Sequence, residues 1–346
     1  MGRKLYWGSL ALTPAVLLMR YGFGIEGSAT FVVAALALAP LAYLTGDATE
    51  HVAEHTGPGI GGFLNASFGN APELIIAIFA IRSNLPNVVR GSITGSVVST
   101  SLLVLGAAMI AARREGELDR RSLLLQVATI LVAVGLFLIP SIPGWHGDPE
   151  RHSLYLLTLP VAVVLLIGYI GVTVHNLRIH SAAERKEPRA GAWSLRTGIA
   201  VLAVATVATA LVSEALVKSL EAFGHALHLS EFFVSAVIVA LVGNAAEHGA
   251  SLVVAHRGNP GLGAEISISS ASQVAVFVAP AIALLSALFG HPLPLSFRPV
   301  EIGAMALGAI VVTFTVLDGK SRPREGWVLV SLYACTVAAF ALSGDR

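Results

Sequence analysis

The sequence predicts an all-α integral membrane protein of about eleven transmembrane helices, one N-terminal helix followed by two inverted-topology five-helix repeats. Three observations carry this expectation. Hydrophobic residues fill 55% of the 346 positions, charged residues only 12%, and mean hydropathy is +0.77, a balance foreign to soluble domains. One pentapeptide pattern occurs twice inside apolar stretches, as Gly69-Asn70-Ala71-Pro72-Glu73 and Gly243-Asn244-Ala245-Ala246-Glu247. Finally, the positive charges are unevenly shared among the connecting segments.

Runs of about 17 to 25 apolar residues place spans near 6-24, 28-48, 60-82, 88-112, 122-141, 153-175, 196-217, 231-256, 262-288, 299-317 and 326-343. Arg20 shortens the first toward the length of a signal-peptide core, but no small-residue cleavage site before a polar domain follows it. It is therefore read as a span. Residues 176-195, mixed in charge and containing Pro188 and Gly191, read as a cytoplasmic linker. The expected units are an N-terminal helix (1-26), a first five-helix repeat (27-175), this linker, and a second repeat (196-346).

An odd number of spans puts the termini on opposite sides. With the N-terminus cytoplasmic, fifteen of the 22 Lys and Arg fall on inner segments, among them Arg113, Arg114, Arg120, Arg121, Arg257 and Arg322. The positive-inside rule therefore favours an inside N-terminus and an outside C-terminus. The expected location is the cell membrane of a prokaryote, with the lipid bilayer as surroundings. Topology accounts for the basic residues, and the net charge of +1 gives no reason to invoke nucleic acid. The single Cys335 excludes an intramolecular disulfide and a thiolate metal cluster. A second copy of the chain is retained as a partner class.

Sliding one half over the other by 174 positions, without a gap, superposes Gly69 on Gly243, Asn70 on Asn244, Glu73 on Glu247, Ser96 on Ser270 and Ser99 on Gln273. Upstream, Glu50 matches Glu214 in type. Five helices per repeat force successive copies into the membrane from opposite sides, the design that places an ion site at the midplane between repeats. Glu73 and Glu247 are then expected to face one another.

A glutamate at mid-membrane costs about 3 kcal/mol even on lenient insertion scales, so it marks a functional site by default. The glycines, and Pro72 in the first motif, should break the helices and free backbone carbonyls, which are tolerated at that depth only where they line a cavity or an ion. Two carboxylates, the Asn70 and Asn244 amides, the hydroxyls of Ser96, Ser99 and Ser270 and the Gln273 amide form an all-oxygen set. Ca²⁺, taking about six to eight oxygens, suits it best. Asn-x-x-Glu also resembles a helix capping box, and both roles can coexist. A site holding two protons or one divalent cation keeps nearly the same charge in either form, whereas an empty doubly charged site is costly to reorient. That is the physical content of antiport.

At this point the residues resemble the calcium/cation antiporter superfamily, and within it the Ca²⁺/H⁺ exchangers. The resemblance rests on Gly61-Gly62-Phe63-Leu64-Asn65-Ala66-Ser67-Phe68-Gly69-Asn70-Ala71-Pro72-Glu73-Leu74-Ile75 and on Gly243-Asn244-Ala245-Ala246-Glu247-His248. It implies a ten-helix core in two inverted halves, with Ca²⁺ as transported substrate, H⁺ as counter-ion and no cofactor. Glu73 and Glu247 would hold the metal, helped by Ser99 and Gln273. It also implies sliding gate helices, on which Glu50 and Glu214 stand near opposite openings. Thr100 and Ser101 depart from an asparagine carried by many relatives. Exchange of Na⁺ for Ca²⁺, or of another divalent cation such as Mn²⁺, is the alternative.

His51-Val52-Ala53-Glu54-His55 also fits the H-x-x-E-H expression of one zinc protease class, a remote alternative in which His51, Glu54 and His55 serve a metallohydrolase. The cluster Asp47, Glu50, His51, Glu54 and His55 reads better as a charged vestibule, a proton-sensitive gate or a solvated helix end. His248 joins the gating candidates because it adjoins Glu247. Rings of acidic residues would also suit a cation channel. Glu231, Glu265 and Glu301 are expected at solvated span ends.

Overall fold

A computed structural model describes residues 7–180 and 193–345. Among these, eight helices are long and apolar enough to cross a membrane, and a bent pair makes a ninth span: Ser28–Thr56, Pro86–Ala111, Arg120–Gly144, His152–His175, Leu195–Leu227, Glu231–Gly243 with Ala245–His256, Pro260–Phe289, Pro299–Val316 and Pro323–Ser343. These nine match nine of the eleven expected positions. The first expected span begins outside the described residues and continues as the short helix Leu12–Leu17 and a π-helical turn, Leu18–Gly22. The third is interrupted, because helical backbone runs from Ser28 to Gly69, stops at Asn70 and restarts as Ala71–Arg82. Helical backbone runs through Gly57-Pro58-Gly59. Proline is tolerated in membrane helices where neighbours satisfy the carbonyl it frees. Most of the expected linker lies outside the described residues.

Ser28–Thr56 and Leu195–Leu227 pack antiparallel along their length. Ser28 Oγ donates to the Ala222 carbonyl (3.2 Å) and the Phe31 and Phe223 rings stack at 4.3 Å. At the other end Val52 lies on Gly198, where a β-carbon would approach it within 2.9 Å. The remaining helices form a scaffold around Pro86–Ala111, which is buried on nearly every side. Gly106 of that helix meets Gly326 of Pro323–Ser343 so closely that a β-carbon on either would stand about 2.5–2.7 Å from the opposite backbone oxygen. Small residues permit such approaches, and in lipid, packing rather than hydrophobic drive holds helices together.

Residues 291–298 cross this scaffold without helical hydrogen bonds, yet Leu293, Leu295 and Phe297 are buried. Their backbone amides are satisfied by Ser286 Oγ (2.8 Å), Thr158 Oγ1 (3.0 Å) and Ser141 Oγ (2.9 Å). Irregular backbone is sustained inside a membrane protein only when protein groups pair with it. At the arginine-rich end, a short antiparallel ladder pairs Gly116 with Ser321 and Glu117 with Lys320. Outward-facing Val163, Val164, Ile167, Val204, Val207 and Phe314 are exposed and apolar, as a lipid-facing belt requires.

Candidate functional site

The two motifs break their helices identically. Asn70 ends one helix and begins Ala71–Arg82 at φ −95°, ψ 11°, and Asn244 separates Glu231–Gly243 from Ala245–His256 at φ −95°, ψ 17°. The second pair is bent by 59°. Ala246 stands in the second motif where the first has Pro72, so proline is not what breaks the helix. The expected capping box is absent, since neither asparagine side chain caps the helix it begins. The amides reach across the protein instead: Asn70 Nδ2 donates to Gln273 Oε1 (2.8 Å) and Asn244 Nδ2 to Ser96 Oγ (2.8 Å), the latter also donating locally to the Ala240 carbonyl one turn back (2.9 Å). Ser270 Oγ donates to Asn244 Oδ1 at 3.3 Å.

Each glutamate lies in the first turn of its restarted helix, where the helix end carries partial positive charge. Glu73 is 4% exposed, and neither of its carboxylate oxygens has a hydrogen-bond partner. It faces Gly243, where a β-carbon would stand 3.5 Å from Glu73 Oε1. Glu247 Oε1 is placed reciprocally against Gly69, while Glu247 Oε2 is buried and unpartnered. The crevice beside Glu73 is lined by Ser92, Ile93, Ser96, Val278 and Ile282. Three carboxylate oxygens without hydrogen-bond partners, at two breaks that each face the other motif's glycine, are stabilised by a proton or a cation.

The structure thus gathers Gly69, Asn70, Glu73, Ser96, Gly243, Asn244, Glu247, Ser270 and Gln273. Ser99 is buried within a helical turn of Ser96. It opens the π-helical turn Ser99–Val104 and points its hydroxyl at its own Ser96 carbonyl (3.4 Å). The repeat-related helix carries a matching π-turn at Val274–Val278, just after Gln273.

Glu50 and Glu214 lie near opposite ends of the antiparallel pair. Glu50 is exposed, while Glu214 accepts from Tyr21 Oη (2.9 Å) and pairs with Lys218 (3.1 Å). Asp47 is partly buried, and Glu54 Oε2 and His248 Nε2 are buried without partners. Among the described residues no group of three or more His, Cys, Asp or Glu is placed to hold a metal ion, so the zinc reading has no site. His51 and His55 hold Trp193 instead, His51 by stacking at 4.4 Å and His55 Nε2 through the Trp193 carbonyl at 2.7 Å.

Two glutamates depart from the solvated ends expected for them. Glu301 is buried in a capping box with the Arg298 backbone, and Glu265 is bracketed by Ser122 (3.1 Å) and Gln126 (2.7 Å). Glu231 is partly buried at its helix start, beside Asp345, which accepts from the Glu231 amide at 3.1 Å. Span hydropathy could not have found Glu265; its spacing of four from Ser269 could.

A bundle of broken membrane helices with paired carboxylates at the breaks defines a multi-span ion-handling protein. A model of the sodium/calcium exchanger protein family matches residues 27–178 and 197–342, and the chain belongs to that family. It is 32% identical to a Ca²⁺/H⁺ antiporter of Aphanothece halophytica, over 97% of this chain and 96% of that one. It is also 32% identical to the Ca²⁺/H⁺ antiporter ChaA of Bacillus subtilis, over 90% and 92%. The solved structure of native YfkE superposes with a TM-score of 0.84 at 28% identity, covering 98% of this chain and 99% of that one. An H⁺/Ca²⁺ exchanger structure, at 16% identity and a TM-score of 0.75 over 98% and 92%, shares the fold.

Proposed function

We propose that this protein is a secondary active transporter that exchanges Ca²⁺ for H⁺ by alternating access, with Glu73 and Glu247 binding either one Ca²⁺ or the replacing protons. One observation carries the reading: a buried Glu73 and a partly buried Glu247, supplied by matched helix breaks, each face the glycine of the other motif with carboxylate oxygens left unpaired. The names of the antiporters to which it is 32% identical support Ca²⁺ and H⁺ as the pair. Asn70 and Asn244 position the breaks, while Gln273, Ser96 and Ser270 hold those amides. Freed carbonyls and the carboxylates then supply the oxygens that Ca²⁺ takes.

The paired segments matched by the family model support two repeats, 27-175 and 196-346, after an N-terminal helix and joined by the 176-195 linker. The charge bias supports a cytoplasmic N-terminus and an outside C-terminus, in the cell membrane of a prokaryote. Glu50 and Glu214 serve as gate carboxylates at opposite openings, with Asp47, His51, Glu54 and His248 on the proton path.

The test is proton-driven ⁴⁵Ca²⁺ uptake in inverted vesicles. Wild type accumulates Ca²⁺ uphill when a pH gradient is imposed, and Glu73→Gln and Glu247→Gln fall to background. Full transport by either variant overturns the paired-carboxylate mechanism. Ca²⁺ flux that runs only downhill identifies a channel.

A further inference from the structure

Helices Pro86–Ala111 and Pro260–Phe289 are counterparts in the two halves, yet the same stripe on each is built differently. In the first half it is Gly91, Gly95 and Ser99, all buried. A β-carbon on Gly91 would run into Ser235 and Phe232, and one on Gly95 into the Ala236 backbone. The 174-residue offset lays Glu265, Ser269 and Gln273 on these positions, and all three are only partly buried. One stripe is sealed by a neighbouring helix; the other is polar and loosely covered.

Spaced by four, Glu265, Ser269 and Gln273 share a helix face. Gln273 Nε2 donates to Ser269 Oγ (3.2 Å), and Gln273 Oε1 accepts from Asn70 of the first motif (2.8 Å). The line therefore runs from the arginine-rich end, where Pro260 packs on Gly116, to the paired-glutamate site. At its outer point Glu265 Oε2 accepts from Ser122 and Gln126, but Glu265 Oε1 and Gln126 Oε1 are both buried without a donor. A purely structural bracket would leave two acceptors on one contacting pair of side chains unsatisfied, each at appreciable cost. A cation held between this contacting pair would satisfy them.

We propose that Glu265, Gln126 and Ser122 form an accessory Ca²⁺-docking site at the arginine-rich mouth, from which the ion reaches Glu73 and Glu247 past Ser269 and Gln273. This rests on the Ca²⁺ exchange reading above. The test is ⁴⁵Ca²⁺ uptake with Ca²⁺ offered at the arginine-rich face. Glu265→Gln should raise the half-saturating Ca²⁺ concentration about five- to tenfold, a tenfold change corresponding to about 1.4 kcal/mol, and should keep the saturating rate within about twofold. Glu265→Asp should restore the wild-type value. An unchanged half-saturation in Glu265→Gln, or a loss confined to the saturating rate, overturns the proposal.

A second measurement is independent of transport: in a Cys335→Ser background, Ser269→Cys should react with a membrane-impermeant maleimide from that face, and Ca²⁺ should slow the reaction. An inert Ser269→Cys overturns the path. Wild type unable to move Ca²⁺ against its gradient would overturn the exchange reading instead, and the labelling result would still stand.

Discussion

Glu73 lies against Gly243, the glycine of the opposite motif, with room for one methyl group between them: a β-carbon there would sit 3.5 Å from Glu73 Oε1 and 3.6 Å from its Cδ. That is ordinary contact rather than a clash. Gly243→Ala should fold and, as alanine favours helix over glycine, lose no thermal stability. The methyl covers the side of the carboxylate that faces the other half. The expected outcome is about a tenfold weaker apparent Ca²⁺ affinity, about 1.4 kcal/mol, with a similar effect from Gly69→Ala. Ca²⁺-dependence of uptake measured beside a melting curve checks both, and unaltered affinity would show that the faces toward the glycines are not used.

Gly95→Ala should behave in the opposite way. Its new methyl would strike the Ala236 backbone, which cannot swing aside as a side-chain tip can, and overpacking of this kind costs about 1–3 kcal/mol. Gly135, with nothing within 4 Å of its β-position, is the control. A lowered melting temperature for Gly95→Ala, against none for Gly135→Ala, is the expected pattern.

Arg90 is 1% exposed, and its guanidinium donates to Glu150 at 2.5 Å and to the Pro294 carbonyl at 3.4 Å. Glu150→Ala strands a buried charge and should destabilise the protein by about 1–3 kcal/mol, discounted from a fully buried pair because Glu150 is partly solvated. Glu150→Gln keeps an acceptor and should recover much of the loss in the same thermal assay.

The turn after Pro299–Val316 carries a pH signature. The Lys320 backbone amide, and next the Arg322 guanidinium, hold the Asp318 carboxyl below its ordinary range. A depressed folded value adds stability above the ordinary carboxylate value, lost as pH falls through the depressed one. Asp318→Asn should therefore flatten a small part of the acid-side decline in thermal stability between about pH 5 and pH 2. An unchanged acid slope would show that the turn does not contribute.

Much of this architecture was legible in the sequence because hydrophobic length and a fixed offset between polar residues are one-dimensional signals. Glu73 and Glu247, Asn70 and Asn244, and Gln273 were recoverable from spacing alone. What was not recoverable depends on neighbours. Ser99 lies on the same stripe as the site residues, but the π-turn it opens sends its hydroxyl back to Ser96. His51 and His55 fit a metal-binding spacing, and only the position of Trp193, over a hundred residues away, shows them occupied. Glu265 reads as a solvated terminus until Ser122 and Gln126 of another helix are seen beside it. The break at Asn244 was expected from glycine weakening, and both breaks fall at the asparagine that follows the shared glycine, Gly69 or Gly243.

The facing pair Gly106 and Gly326 has a consequence for how this chain can vary. Where two backbones touch, any side chain is an obstruction, so substitutions there should be rejected by size and not by polarity. On the lipid-facing surfaces around Val164, Val207 and Phe314 the filter should be the reverse, with bulk accepted and charge refused. A saturation-mutagenesis map of functional expression should separate into these two grammars, with the boundary between them tracing the outline of the scaffold.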